Sequence, residues 1–299
     1  MSGEILREIP DRIKDWASLT KVQDIFRRAE DKEEWVFRGL SDGSIHLKTT
    51  LERVAEEFKV PGVKIPDLEV KLIHEFMRRY HLYAAEPPPS KGDTLDWLAL
   101  MRHHGAPSRL LDFTFSFLVA AYFSLERKPN GDPAIWAVNK SWLAKNVPEI
   151  LKKRSKTIAS QFKRYAKYRD GDEFRNVFFK GRPRLVSPVN PFRLNQRLTI
   201  QQGLFLCPGD VTVSFMDNLK AMPNYDDNVK VIPIAYGARS VLLAALHRAN
   251  LNRATLFPGL DGFASSLWTR VTSLKRLQSM EDSGARSKVN LDIEALRRW

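Results

Sequence analysis

The stretch EEWVFRGL, residues 33–40, places an arginine where a hydrophobic strand ends. A Trp-Val-Phe triplet favours a buried strand, and Arg38 follows it directly. Gly39 comes next and gives the backbone room for the close approach of another group. A guanidinium has paired N–H donors that match a carboxylate or a phosphate. Arg38 is therefore either a structural ion-pair partner or a clamp for an anionic ligand.

A second candidate stretch is SRLLDFTFS, residues 108–116. In an extended chain, alternate side chains point to opposite faces. Asp112, Thr114 and Ser116 would therefore share one face, backed by three phenylalanines on the other. In one interpretation this polar face lines a ligand cleft. In the other, Ser116 caps the helix that follows and Asp112 pairs with Arg109.

His103 and His104 stand beside Gly105, where a helix is predicted to end. A histidine pair in that place is usually a favourable charge at a helix C-terminus. Because Asp112 lies only a few residues further on, the pair could also supply a general base or a ribose contact.

A third candidate stretch is RLTIQQGLFL, residues 197–206, which we predict to be a strand. Alternation places Gln202 on the same face as four aliphatic side chains and Gln201 on the opposite face. An amide on an apolar face is costly unless it is hydrogen-bonded. The glutamine could therefore be either a hydrogen-bonded structural residue or a site residue.

The positive charge is concentrated in one segment. Residues 140–184 carry 14 Lys and Arg against 4 Asp and Glu, which is +10 of the chain's net +13. The sequence LKKRSKTIASQFKRYAKYRD in this segment predicts one basic amphipathic helix. It is either a solvated surface helix or a nucleic-acid-binding face, for which we expect RNA more than DNA. Its seven candidate contacts are Lys152, Lys153, Arg154, Lys156, Lys163, Arg164 and Lys167.

Length and composition limit the class of protein. The chain has 299 residues and 43% hydrophobic residues, enough for a substantial core. A single cysteine excludes an internal disulfide and a cysteine zinc site, and no metal-binding motif is present. No apolar run is long enough to span a bilayer. We expect a cytoplasmic protein that does not bind membranes.

Strand and helix patterns do not alternate regularly along the chain, which favours an α+β single domain. We expect a mixed or antiparallel sheet with N-terminal helices and a basic helical insertion over about 140–184. Residues 1–275 would form the domain and 276–299 a polar tail.

Four stretches together resemble the FRG domain family, whose members are bacterial or phage-encoded. They are WVFRGL, MRHHGAPSRLLDFTFSFLVAAYFSLE, RLTIQQGLF and ATLFPGLDGFASSL, and the family is named for the motif seen here as Phe37-Arg38-Gly39. The resemblance covers roughly residues 20–270. More distantly, the layout is similar to the ADP-ribosyltransferase superfamily, which implies a fold of that type.

The second resemblance implies NAD as substrate and a role for each matching residue. Arg38 would hold the NAD pyrophosphate or ribose, and Thr114 and Ser116 would shape the nicotinamide pocket. Gln201 and Gln202 stand where transferases commonly carry a glutamate, and a glutamine lacks its charge. Asp112, Glu126 or His104 would then supply the charge or base. The expected catalytic residues are Arg38, His104, Asp112 and Gln202; the expected cofactor contacts are Arg38, Gly39, Arg109, Thr114, Ser116 and Gln201.

These readings lead to three functional hypotheses. The first is an NAD-dependent ADP-ribosyltransferase acting on nucleic acid, as a toxin or antiphage effector with an antitoxin or other protein partner. The second is a nucleic-acid-binding module without catalysis. The third is an effector that hydrolyses NAD. A cleft that joins Arg38, Thr114, Ser116 and a glutamine favours the enzyme, whereas a structural ion pair between Arg38 and Asp112 disfavours it.

Overall fold

A computed structural model of the chain describes residues 5–30, 33–128, 131–192 and 196–269. These residues form one α+β body around a six-stranded sheet. The strands are β1 (Trp35–Leu40), β2 (Leu111–Thr114), β3 (Ala134–Asn139), β4 (Val186–Val189), β5 (Gly203–Pro208) and β6 (Val229–Pro233).

Helices surround this sheet on both faces. In chain order they are α1 (Trp16–Glu30), α2 (Thr50–Glu57), α3 (Ile65–Arg79), α4 (Thr94–His103), α5 (Phe117–Leu125), α6 (Lys140–Arg154), α7 (Lys156–Tyr168), α8 (Gly171–Arg175), α9 (Gln196–Ile200), α10 (Phe215–Lys220), α11 (Tyr225–Asn228), α12 (Arg239–Arg248) and α13 (Arg253–Leu256). Residues 260–269 are also helical.

The sheet has the order β4-β5-β2-β1-β3-β6, and every neighbouring pair is antiparallel. The α+β class is therefore confirmed, with an antiparallel sheet. β1 pairs with β3 along its whole length. With β2 it shares only the pair Phe37↔Thr114. The two central strands therefore separate beyond Phe37.

The core lies in two layers, one on each face of the sheet. On one face Val36, Trp136 and Val138 pack with side chains of α3, α4 and α6–α8. On the other face Trp35 and Phe37 pack with side chains of α1, α5 and α12. Successive residues of β1 thus enter opposite layers, as strand alternation requires.

Two elements differ from their prediction. The basic stretch 151–170 is two helices, because Ser155 is extended and its side chain caps α7 by accepting from the Ile158 amide. Residues 196–200 are helical, and strand β5 begins only at Gly203. The pattern of 197–206 did not distinguish these cases, since Leu198 is buried in either conformation.

The basic region also contributes to the core. From it, Leu143, Val147, Tyr165 and Phe178 are buried in the layer that covers β1 and β3. The region 140–184 is therefore an integral part of the body, although we expected an insertion.

Gly39 lets β1 and α5 approach each other closely. A Cβ atom at this position would overlap the Ala120 carbonyl oxygen and lie 2.5 Å from the Ser124 amide nitrogen, both backbone atoms of α5. Next to it, Phe37 packs edge-on against Phe117 at the start of α5, with ring centroids 5.3 Å apart. The close approach of α5 therefore accounts for a glycine at this position.

Among the described residues, no helix is long and apolar enough to cross a membrane. The predicted polar tail, residues 276–299, lies outside the part of the chain that the structure describes.

We predict that Gly39→Ala destabilises the protein by about 3 kcal/mol, because backbone atoms of α5 cannot move aside as a side chain can. The free energy of unfolding in urea measures this loss. Gly237→Ala is the control, since a Cβ there meets nothing within 4 Å, and it should change stability by less than about 0.5 kcal/mol. Equal stability of the two variants would contradict the close packing of β1 on α5.

Candidate functional site

The candidate site is a cleft of about 430 Å³ at the place where β1 and β2 separate. The ends of β1, β2 and α5 line it, together with side chains from α2, α4, α9 and α13. Six arginines line the cleft against two carboxylates, an excess of four positive charges. They are Arg38, Arg53, Arg102, Arg127, Arg197 and Arg253, with Asp112 and Glu126.

Arg38 occupies the gap between the two strands. Its Nη1 donates to the Asp112 carbonyl oxygen at 2.5 Å and lies 3.7 Å from Asp112 Oδ2. From α4, Arg102 donates to the same Oδ2 through Nε at 2.7 Å and Nη2 at 2.5 Å. Asp112 Oδ1 has no hydrogen bond to any described residue, and the side chain is 31% exposed. One carboxylate oxygen thus holds two arginines while the other stays available.

The clustered arginines perturb one another. Burial lowers the pKa of Arg38 to about 10; Asp112 opposes this shift, and Arg102 and Arg53 add to it. The pKa values of Arg53 and Arg197 are also lowered, in each case first by burial and then by neighbouring arginines, with Asp112 opposing. All three remain charged at pH 7, but their charges are poorly solvated. A bound anion would reduce the free-energy cost of keeping these charges poorly solvated.

Asp112 is the main counter-charge in the cleft. Burial alone would raise the pKa of its carboxyl, but Arg102 and Arg38 outweigh burial and lower the pKa below its ordinary value. Asp112 is therefore ionised throughout the physiological range.

A second ion pair forms the opposite wall. Arg253 Nη1 lies 2.8 Å from Glu126 Oε1 and 3.0 Å from Oε2, so both carboxylate oxygens are occupied. The guanidinium carbons of Arg253 and Arg197 lie 4.3 and 4.4 Å from the centre of the Phe257 ring. Arg197 has no carboxylate partner within 4 Å among the described residues. The Phe257 ring packs against its guanidinium group.

The predicted Ser/Thr residues serve the backbone. The Thr114 hydroxyl donates to the Gln201 carbonyl oxygen at 2.6 Å and accepts from the Ser116 amide. Ser116 accepts from the Val119 amide and so caps α5, as the structural interpretation expected. The Gln201 side chain donates to the Leu256 carbonyl oxygen at 2.9 Å. Thr114 and Gln201 line the cleft but already have protein partners.

Gln202 does not join the cleft. It is exposed and has a left-handed backbone, φ 48°, in the turn between α9 and β5. The prediction that Gln202 lies on an apolar strand face is wrong, because the strand begins one residue later.

Arg109 is a core residue and does not line the cleft. It is 1% exposed, forms an ion pair with the equally buried Glu69, and donates to the Phe178 carbonyl oxygen at 2.9 Å. The ring of Phe179 lies 4.1 Å from its guanidinium carbon. The partner expected for Asp112 was therefore wrong, since Arg102 and Arg38 take that place.

His104 lies at the exposed end of α4 and lines a different, mainly apolar hollow with Phe76, Tyr80 and Tyr83. It is therefore not brought together with Arg38 and Asp112.

The cleft thus unites six of the predicted residues, which are Arg38, Gly39, Asp112, Thr114, Glu126 and Gln201. Sequence reasoning missed five of its arginines and its aromatic wall. These arginines stand on separate helices and loops, so their convergence depends on the fold.

The seven basic residues predicted on α6 and α7 are all exposed. Of these, Arg164 pairs with Glu173 at 3.1 Å and Arg154 donates to the Gly181 carbonyl oxygen. The other five have no carboxylate within 4 Å in the described part of the chain. Phe162 and Tyr165 pack inward, and Tyr165 is 2% exposed, so they do not present stacking platforms.

Comparison with known proteins gives one match. Residues 33–133 match the FRG domain model, which is 101 of the 299 residues. No curated protein and no solved structure matches the chain. The comparisons give no support to the ADP-ribosyltransferase resemblance. The matched segment contains Arg38, Arg53, Arg102, Asp112, Glu126 and Arg127 of the cleft.

Proposed function

The chain carries an FRG domain, and we propose that it binds a nucleotide through its phosphates in the arginine cleft, with NAD as the expected nucleotide. The observation that carries this proposal is the charge imbalance of six arginines against two carboxylates around one cavity. A protein seldom gathers partly buried charges of one sign without a counter-charge.

Phosphate is the anion that these side chains suit best. Guanidinium groups bind phosphate oxygens through paired hydrogen bonds. Arg53, Arg127 and Arg197 have no carboxylate partner within 4 Å among the described residues. Arg53 Nη2 donates to the Lys48 carbonyl oxygen at 3.3 Å, and the remaining donors of the three side chains are available to a ligand. The three arginines come from α2, the loop after α5 and α9, and can contact one diphosphate from several sides.

The rest of the lining suits a nucleoside better than an inorganic ion. Phe123 and Phe257 place aromatic rings beside the cationic surface, where a base or sugar can pack. The available Oδ1 of Asp112 can accept a hydrogen bond from a ribose hydroxyl.

ADP-ribosyl transfer is the reaction that we propose for this site. The bond between ribose C1′ and nicotinamide N1 would break, with its electron pair leaving on nicotinamide. An oxygen or nitrogen of the acceptor would bond to C1′ and release its proton to a base. Asp112 can stabilise the positive charge that develops on the ribose. Asp112 would take the place of the glutamate that transferases commonly carry. Gln201 has no negative charge, and its side-chain amide already donates to the Leu256 carbonyl oxygen.

We predict that Arg197→Ala and Arg38→Ala each weaken NAD binding by about 10- to 100-fold, because each removes charge-assisted hydrogen bonds. Arg197→Ala is the cleaner change, since it leaves no carboxylate without its partner. Isothermal titration calorimetry measures the affinity, and thermal unfolding checks the fold. Arg7→Ala, an exposed charge outside the cleft, is the control. Wild-type affinity in both cleft variants would contradict the proposed site.

We predict that Asp112→Asn lowers ADP-ribosyl transfer by about 100-fold or more while NAD binding is kept or strengthened. The amide can still accept from Arg102, but the negative charge that competes with phosphate is gone. Labelled NAD is followed with RNA, DNA and protein acceptors, with the exposed Asp24→Asn as control. A wild-type protein that forms no labelled product and consumes no NAD would contradict transfer. Loss of NAD without labelled acceptor would indicate hydrolysis.

Nucleic-acid binding by α6 and α7 is the second candidate function, and it could act with the first by recruiting an acceptor. The observation that favours it is the set of five exposed lysines without a carboxylate partner in the described part of the chain. They are Lys152, Lys153, Lys156, Lys163 and Lys167. Phe162 and Tyr165 face the core, so the contacts would be mainly to phosphates. Tyr168, which is 65% exposed and lies beside Lys167, is an aromatic ring of this surface on which a base could stack.

We predict that changing Lys152, Lys153, Lys163 and Lys167 to Glu abolishes RNA binding, and that wild-type affinity falls steeply with salt. Filter binding with a labelled single strand measures both. A matched variant moves the same four charge reversals to exposed positions on other surfaces, Lys14, Lys21, Lys64 and Lys71. Equal loss in both variants would mean that net charge, and not this surface, accounts for binding.

A further inference from the structure

A second hollow adjoins the arginine cleft, and we call it the side groove. It has a volume of about 340 Å³ and shares Arg197, Arg253 and Phe257 with the cleft. The rest of its lining comes from the end of α4, the start of α9 and the chain after α13. These residues are His103, Gln196, Pro258, Asp261, Gly262 and Ser265.

The shared residues form the junction between the two hollows. Both guanidinium groups lie against the Phe257 ring, at 4.4 Å for Arg197 and 4.3 Å for Arg253. Stacking on a ring restricts the guanidinium plane and leaves the N–H edge of Arg197 free to donate. Arg253 Nη1 already donates to Glu126, so an anion here would use its other donors. An anion bound at this junction would therefore lie at the boundary between the hollows.

The two hollows differ in charge. The cleft has four more arginines than carboxylates, whereas the side groove adds no further arginine or lysine to the two that it shares. Instead it adds an acid, Asp261, an amide, Gln196, and a hydroxyl, Ser265. Burial, followed by the nearby His104 and Arg197, lowers the pKa of His103, so its ring is neutral at pH 7. These groups suit an uncharged partner with hydroxyl or amide groups.

The volumes of the two hollows also favour a ligand with two parts, one in each hollow. Pockets for small molecules commonly measure about 300–1,000 Å³, and each hollow lies near the lower end of that range. Together they can hold a ligand with one charged part and one uncharged part.

We infer that the side groove takes the sugar or base at one end of a ligand whose diphosphate lies in the cleft. This inference rests on the proposed nucleotide function and narrows its substrate class. The ligand would carry a group on each side of its diphosphate, as ADP-ribose and NAD do, with the phosphates at the Arg197–Phe257–Arg253 junction.

Two probes separate the hollows experimentally. Inorganic pyrophosphate reports on the phosphate site, which comprises the cleft and the junction, and ADP-ribose reports on that site together with the rest of the side groove. Ser265→Phe fills the side groove, and the Ser265 hydroxyl has no hydrogen bond to any described residue. We expect this variant to weaken ADP-ribose binding by at least about tenfold and to leave pyrophosphate binding unchanged. Gln196→Ala, an exposed substitution that cannot disturb packing, should weaken ADP-ribose alone by about threefold.

Calorimetry on the full chain gives the outcomes, with Ser265→Ala as the control that leaves the groove open. ADP-ribose binding that is unchanged in both variants, while pyrophosphate still binds, would overturn the inference and leave the nucleotide function intact. Weakening of both probes to the same degree would also overturn it, since the groove would then act only through the cleft. Failure of both probes to bind wild-type protein would refute the proposed function and, with it, this inference.

Discussion

The separation of β1 from β2 is the feature on which the rest of the site depends. The strands share one residue pair, and beyond it the Arg38 side chain donates to the Asp112 carbonyl oxygen, a backbone group of β2. A side chain thus takes over where strand pairing stops, which satisfies a backbone acceptor that would otherwise lack a partner. The gap that Arg38 bridges is also the floor of the cleft.

Each residue of the Phe-Arg-Gly motif has a separate task in holding this opening. Phe37 fixes β1 in the layer beneath α5 through its contact with Phe117. Gly39 lets the α5 backbone approach, and Glu126, the residue directly after α5, lines the cleft. Between them, alternation sends Arg38 to the other face. The motif therefore fixes how closely β1 packs on α5 beside the cleft, and Arg38 supplies a positive charge to the cleft.

The ion pairs divide the cleft arginines into two groups. Arg38, Arg102 and Arg253 are held by Asp112 or Glu126, which orients them. Arg53, Arg127 and Arg197 have no such partner among the described residues and supply the uncompensated charge. A buried pair such as Glu69–Arg109 shows the contrast, because there one acid neutralises one base and nothing is left for a ligand.

Local patterns predicted the strand near Trp35, the extended chain near Leu111 and the helix that Ser116 caps, since these depend on alternation and capping. They failed at Gln202, where a short apolar run is equally compatible with a helix and a strand. The ADP-ribosyltransferase resemblance assigned Arg109 to the cofactor, and nothing in its local sequence shows that Glu69, 40 residues earlier, neutralises it in the core. Arg197 and Arg253 could not be predicted as cleft residues for the same reason, since only the fold brings them near Arg38.

A crystal structure of the full chain with ADP-ribose would test the central claim most directly, which is that phosphate neutralises the arginine cleft. We expect the diphosphate within hydrogen-bond distance of Arg197 and of at least one of Arg38 and Arg53, with Asp112 still bonded to Arg102. A diphosphate bound elsewhere, for example on the exposed lysines of α6 and α7, with the cleft arginines unchanged, would contradict it.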